Sequence, residues 1–166
     1  LTGMAWLPFV TADKDTPLLR LEAAVPRSRY LRDILQTSLL WIHYDAARYD
    51  AGLKPMRTFL ARYPGNHAYR QMMADFLYRK GDFDSARALQ ESLLAEYDAF
   101  GRSSQAAGCL PLGYLSAVGN LAKLDKSQHR PEGLAQRMGI WYAPRNDAAK
   151  KWLPASLVRE VDSIHK

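Results

Sequence analysis

The chain has 166 residues, of which 48% are hydrophobic and 24% charged, and its formal net charge is +6. This length suits one domain, and the apolar content excludes a largely disordered chain. The single cysteine excludes an internal disulfide framework, the Cys and His spacings fit no metal site, and no apolar run approaches the ~20 residues of a membrane-spanning helix.

Residues 1–27 form a leader with one short helix. Trp6 and Phe9 are expected to anchor an irregular apolar segment onto the first helices. The helix is predicted over residues 17–25, because a capping side chain precedes Pro17 and a second proline follows. Since the chain begins at Leu1 instead of Met, we expect further sequence upstream and assign neither a cytoplasmic nor a periplasmic location.

Residues 28–65 predict a pair of helices. Ser28 can cap a long helix over residues 29–47, whose apolar stripe is wide enough for burial on two sides. His43 falls on the core side of this helix and is interpreted as a hydrogen-bonded core residue. The second helix is predicted over residues 50–63, with a start at Lys54 as the alternative, because proline is tolerated only at the beginning of a helix.

Residues 66–98 predict a tight helical hairpin. Its helices carry apolar stripes at the 3.6-residue period and meet at Gly81, where the chain needs a positive φ. Asp82 can cap the second helix.

Residues 99–145 predict a loop and a third pair. The loop covers residues 99–108, and the helices cover about 110–124 and about 131–141, with a corner at 127–130. When an insertion of about 11 residues is allowed, this pair aligns with the hairpin of residues 66–98, with Val118 and Gly119 at the positions of Met73 and Ala74.

Residues 146–166 predict capping helices. Asn146 is expected to cap a helix over 147–153, and a last helix covers about 154–164. Its apolar face comprises Leu157, Val158, Val161 and Ile164. Arg159, Glu160, Asp162 and Lys166 are expected to face water.

A 34-residue period links the first two pairs. It aligns Tyr49 with Phe83, Gly52 with Ala86, Phe59 with Leu93, Leu60 with Leu94 and Ala47 with Gly81. This is the period of the tetratricopeptide repeat. Residues 33–98 therefore resemble two tandem tetratricopeptide repeats of the kind found in bacterial proteins.

The resemblance implies an all-α fold, a right-handed α-α superhelix built from antiparallel helix pairs, with a C-terminal capping helix. Residues 1–166 would form one domain, with repeats at 28–65, 66–98 and 109–145. First helices of such repeats line a concave groove that binds a protein or peptide. The groove positions carried over are Thr37, Trp41, Tyr44, Asp45, Gln71, Asp75, Tyr78, Arg79, Ser116, Asn120 and Lys123. Trp41 could equally be a core residue.

No arrangement of residues indicates catalysis. Cys109 has no histidine nearby in sequence and is interpreted as a small buried thiol, and no glycine-rich phosphate loop follows a strand. We therefore expect no enzyme activity and no cofactor.

Two alternatives to the groove stay open. The basic excess lies late in the chain and could bind an acidic polymer through Lys123, Lys126, Arg130, Arg137, Lys150 and Lys151. Nucleic acid is not favoured, because aromatic residues do not alternate with these basic ones. The chain could also be a structural segment of a larger protein.

Overall fold

The computed structural model describes residues 15–28, 30–103 and 112–164, and over these ranges most of the backbone is helical, with no strand. The predicted all-α class is confirmed. Trp6, Phe9, Cys109 and His165, for which the sequence supported interpretations, lie outside the described residues. Of the helices in these ranges, none has the length and apolar character needed to cross a lipid bilayer.

Nine α-helices and one 3₁₀ turn occur in the described ranges. The first five are α1 (Asp15–Ala24), α2 (Arg32–Asp45), α3 (Tyr49–Arg62), α4 (His67–Lys80) and α5 (Phe83–Ser103). The others are α6 (Leu112–Ser127), α7 (Pro131–Trp141), the 3₁₀ turn Pro144–Asn146, α8 (Asp147–Lys150) and α9 (Ala155–Asp162). Helices that follow one another pack in neighbouring pairs, and α6 also packs against α9.

Three corners between helices share one backbone pattern. The φ angle is positive at Ala47 (55°), Gly81 (90°) and His129 (53°). At each corner this residue's N–H bonds to the carbonyl three residues back, and the next N–H bonds to the carbonyl five residues back. Ala47 and Gly81 are 34 residues apart, as the sequence predicted. His129 lies 48 residues after Gly81, whereas the sequence alignment placed the third pair 45 residues after the second. The predicted alignment of the third pair is therefore wrong by three residues.

The chain divides into two compact units, Leu1–Phe59 and Leu60–Lys166. In the first unit, α1 packs on α2. The buried residues of this contact are Leu18, Val25 and Leu39, with Leu21 and Leu35 partly buried beside them.

His43 is a buried residue of α2, as predicted. Its Nε2 lies 3.5 Å from Oε1 of Glu22 on α1. Burial lowers the pKa of His43, and the Glu22 carboxylate only partly opposes this effect. The imidazole therefore belongs to the packing of the first unit and is not presented to solvent.

The predicted start of α3 near residue 50 is confirmed, and the alternative start at Lys54, after a delay by Pro55, was wrong. The helix begins at Tyr49, and its first turn is closed by a bond from the N–H of Gly52 to the carbonyl of Arg48 (3.2 Å). The proline lacks an N–H, so the carbonyl of Ala51 loses its intrahelical partner. Burial of Leu53, Met56 and Phe59 holds the helix together across this gap.

α6 is the central helix of the second unit. It packs against α5, α7 and α9, and nine of its residues are buried. Gly119 allows α7 and α9 to approach α6 closely, since a Cβ there would lie 2.9 Å from Cζ3 of Trp141 and 3.2 Å from Cγ2 of Val161. The core between α7 and α9 comprises Trp141, Leu157 and Val161.

α5 is longer than the sequence indicated. It has 21 residues against 14 in α4, so residues 99–103, predicted as loop, are helical. A single glycine at Gly101 costs about 1 kcal/mol in a helix, which does not stop a helix that is already propagating. The remaining predicted loop residues, 104–108, lie outside the described ranges.

The C-terminal segment corrects one predicted cap. The side chain of Asn146 makes no cap bond to α8; instead its Nδ2 donates to the carbonyl of Ile140 (2.7 Å), and the residue is buried. The preceding 3₁₀ turn carries Asn146 beneath the end of α7, which explains the difference. α9 lies where the last helix was predicted, and Leu157 and Val161 of its apolar face are buried.

Candidate partner-binding surface

The four predicted groove residues of the first unit lie on α2. Trp41 is 52% exposed, Asp45 is exposed, and Thr37 and Tyr44 are half-buried. The rings of Trp41 and Tyr44 meet edge to face with centroids 6.1 Å apart. The alternative in which Trp41 is a fully buried core residue is therefore wrong.

In the second unit, α4 and α6 bring most of the predicted residues together. Nε2 of Gln71 donates to Oγ of Ser116 (2.7 Å). The hydroxyls of Tyr78 and Ser127 are 3.2 Å apart, and Nζ of Lys123 lies 4.9 Å from the ring centroid of Tyr78. Side chains separated by some 45 residues in sequence thus form one continuous row.

Glu160 of α9 completes this row. Its carboxylate oxygens lie 2.9 Å from Nη2 of Arg79 and 2.6 Å from Nζ of Lys123. Burial favours a higher pKa, but the hydrogen bond and charge of Lys123, together with Arg79, hold the pKa of Glu160 below its usual range. α9 is thereby tied to both α4 and α6 by charge.

The sequence assigned Glu160 to the water-facing side of α9, but its side chain is only 36% exposed and also pairs with charges on α4 and α6. Three residues after Leu157 and four before Ile164, Glu160 falls on the apolar stripe itself. A carboxylate on the packing side of an amphipathic helix needs a charged partner. The position of Glu160 beside the apolar residues of α9 was the sequence signal from which its ion pairing could have been predicted.

Asp75 lies beneath the same row. Burial raises the pKa of Asp75 to about 6, and the nearby charges of Lys123 and Arg79 only partly oppose this. The Glu160 carboxylate adds to the increase. Protonation of Asp75 near pH 6 therefore changes the charge of this surface by one unit.

A cleft of about 270 Å³ opens between α4, α6 and α9 beside the row. It is lined by Tyr78, Arg79, Lys123, Lys126, Ser127, Glu160, Ser163 and Ile164. Its walls combine an aromatic ring, three cations and one carboxylate. Such a lining suits a peptide segment that is aromatic or carries charges of both signs.

Asn120 is the predicted groove residue with the least access to solvent. It is 7% exposed and lies within the buried part of α6, where its Oδ1 is 3.5 Å from Nζ of Lys123. Its amide can orient Lys123 but cannot contact a partner from that position.

A second polar cluster joins α5 to α6 and was not predicted. Arg87 donates to Oδ1 of Asp125 (2.7 Å) and to Oε1 of Gln128 (2.8 Å), and both Arg87 and Asp125 are buried. Gly133 leaves room for this carboxylate, because a Cβ there would lie 2.9 Å from Oδ2 of Asp125. A buried ion pair of this kind fixes the packing of helices.

The basic residues of the acidic-polymer alternative are only partly available. Lys123 is paired with Glu160, and Lys150 with Asp147 at 2.8 Å. Lys126, Arg130 and Lys151 are exposed, whereas Arg137 is half-buried. Three exposed cations make a weaker polyanion surface than the six that the sequence suggested.

Titratable side chains elsewhere take part in contacts between helices. Nε2 of His67 lies 2.9 Å from Oε2 of Glu96, which also accepts from Arg70. No group of three or more His, Cys, Asp and Glu residues that could hold a metal ion is found in the part of the chain that the structure describes. No protein-family model, no curated protein and no solved structure matches this chain.

Proposed function

We propose that this chain is a non-catalytic helical repeat module, organised like a tetratricopeptide repeat array, that binds a protein partner on the α4–α6–α9 surface. The observation that carries the proposal is the row of Gln71, Ser116, Tyr78 and Lys123 with the mixed-charge cleft beside it. The predicted residues on α2 belong to the other unit and are not needed for this proposal.

The corner geometry supports the repeat organisation. Ala47 and Gly81 have the same positive-φ corner 34 residues apart, and the corner at His129 recurs after a longer interval. In a repeat array each pair buries its apolar face against the next. The neighbouring-pair packing of α4 through α7 agrees with that organisation.

The lining of the cleft indicates the kind of partner. Tyr78 is rigid and amphipathic, and Lys123 sits over its ring, so an aromatic side chain could stack beside them. Lys126 is exposed at the rim and can meet a carboxylate. We therefore expect a peptide segment that combines an aromatic residue with an acidic one.

Selection of displayed random peptides against the full chain tests this proposal. We expect peptides with the aromatic–acidic pattern, and we expect Tyr78→Ala and Lys123→Met each to weaken their binding at least about 10-fold. Lys54→Met, an exposed change on α3, is the matched control and should leave binding unchanged. Circular dichroism of each variant verifies the fold.

Two results would contradict the proposal: selection that yields no binding peptide, or peptides that bind both variants as tightly as the wild type. Heparin serves as the probe for the acidic-polymer alternative. Heparin binding that falls steeply between about 50 and 200 mM salt, in the absence of peptide binding, would favour that alternative.

A further inference from the structure

The outer face of α2 and the turn before it expose an unusual amount of apolar surface. Five large side chains are partly or mostly exposed: Tyr30 (87%), Leu31 (54%), Ile34 (63%), Trp41 (52%) and Ile42 (39%). Together they present roughly 700 Å², whereas the largest apolar patch of a typical monomer covers about 300–600 Å². A patch of this size indicates an interaction surface.

The centre of this face can pair with a second copy of itself. In an antiparallel pair of helices related by a two-fold axis, residue i faces residue j, and the sum of i and j is constant. With the axis between positions 37 and 38, Ile34 faces the partner's Trp41, and Trp41 faces the partner's Ile34. Ile42 then faces the partner's Asp33, and Tyr30 and Leu31, which precede the helix, lie near the end of the partner's α2.

The residues nearest this axis suit a close approach of two helices. Thr37 and Ser38 are the small residues of the face. The hydroxyl of Thr37 donates to the carbonyl of Asp33 (2.8 Å), and that of Ser38 donates to the carbonyl of Ile34 (3.0 Å). Because both donors are already bonded within the helix, their burial between two helices leaves no donor unpaired.

The larger side chains are also held in place. The ring of Trp41 rests edge to face on Tyr44, and Tyr44 rests in the same way on Tyr49, each with a centroid distance of 6.1 Å. An aromatic anchor that is already ordered loses little conformational entropy when it is buried.

We propose that the outer face of α2 is a self-association surface, on which two copies of this chain pair antiparallel about an axis between Thr37 and Ser38. Complete burial of both faces would remove roughly 1,400 Å² from water, within the range of about 1,200–2,000 Å² for stable interfaces. The inference does not depend on the proposed α4–α6–α9 function, because the two surfaces share no residue.

Light scattering after size-exclusion chromatography of the full chain measures the association. We expect a mass twice the 18.8 kDa of one chain at about 10–100 μM. Ile34→Glu places a carboxylate opposite the partner's Trp41 twice per dimer, and Ser38→Arg blocks the axis. Each change should weaken the dimer about 100-fold. Both positions are exposed in one copy, so unfolding temperatures should stay near wild type.

Trp152→Glu is the matched control, because Trp152 is 79% exposed and lies in the other unit. This variant should dimerise like the wild type. A monomer at 100 μM would overturn the proposal, since it would mean that an external partner or another segment covers the face. A dimer that survives both Ile34→Glu and Ser38→Arg would also overturn it.

Cross-linking tests the position of the axis. In a Cys109→Ser background, Ser38→Cys should form a disulfide-linked dimer under mild oxidation, because residues beside a two-fold axis approach their own copies. Ser85→Cys, exposed on α5, should stay unlinked. Equal cross-linking at both positions would contradict the proposed pairing.

Discussion

Gly119 shows how one missing side chain sets the distance between helices. A Cβ at this position would approach Trp141 and Val161, both fully buried, to 2.9 and 3.2 Å. The indole cannot move aside easily, because its Nε1 donates to Oδ1 of Asp162 (3.1 Å). The contact among α6, α7 and α9 therefore depends on a glycine that the sequence alone presents as a weak helix former.

We expect Gly119→Ala to lower the free energy of unfolding by about 1–3 kcal/mol, measured by urea denaturation, because the added methyl group overpacks a rigid core. Gly139→Ala is the matched control, since a Cβ there meets no atom within 4 Å. That change should leave stability unchanged or raise it by up to about 1 kcal/mol through helix propensity. Equal effects of the two changes on the free energy of unfolding would show that the lack of space around Gly119 does not destabilise Gly119→Ala.

Single residues also show how far the sequence can predict the structure. Gly81, the cap at Asp82 and Pro131 at the start of α7 were predicted correctly, because each acts within a few residues of its own position. The roles of Asn146 and Glu160 were not predicted, because they depend on partners outside their own helices. Asn146 donates to a carbonyl at the end of α7, and Glu160 pairs with Arg79 and with Lys123. Most of the candidate site depends on such distant contacts.

At the scale of elements, one charged cluster joins three helices. α4 contributes Asp75 and Arg79, α6 contributes Lys123, and α9 contributes Glu160. Burial of Asp75 raises its pKa to about 6, from a usual value of 3.8. A carboxyl group whose pKa is higher in the folded state favours folding when it is protonated, and that favourable contribution is lost as pH rises through 6.

We therefore expect Asp75→Asn to be more stable than the wild type at pH 7, by about 1–3 kcal/mol, and nearly equal to it at pH 4. The difference should develop mainly between pH 4 and 6.5, in urea denaturation at a series of pH values. The lowered pKa of Glu160 has the opposite effect on stability, because its stabilising contribution is lost on acidification. Glu160 is present in both the wild type and Asp75→Asn. A difference that does not change with pH would contradict this account.

At the scale of the whole molecule, the chain divides into two compact units, Leu1–Phe59 and Leu60–Lys166, whereas the organisation as one domain of three repeats stays a prediction. The second unit has its own core around α6 and the buried Trp141. About 100 residues are enough to bury roughly two thirds of the surface of an unfolded chain. The helix pairs were predictable from periodicity, whereas the division was not, because it depends on which pairs contact each other.

We expect a fragment of residues 64–166 to fold by itself. Its circular dichroism spectrum should be helical, and its thermal unfolding should be a single cooperative transition, because the contacts of α4 through α9 lie within it. A fragment with helical signal but no cooperative transition would indicate that this unit needs residues before 64 for its packing.

The extra length of α5 bears on how this chain can change in evolution. α5 exceeds α4 by seven residues, which is nearly two full helical turns, about 10 Å of added length and a rotation of only ~20°. An insertion of seven residues therefore leaves later side chains pointing in almost their former directions. An insertion of five would turn them toward the opposite side of the helix. Related sequences should consequently vary in length here by insertions that keep the helical phase, such as seven or eleven residues.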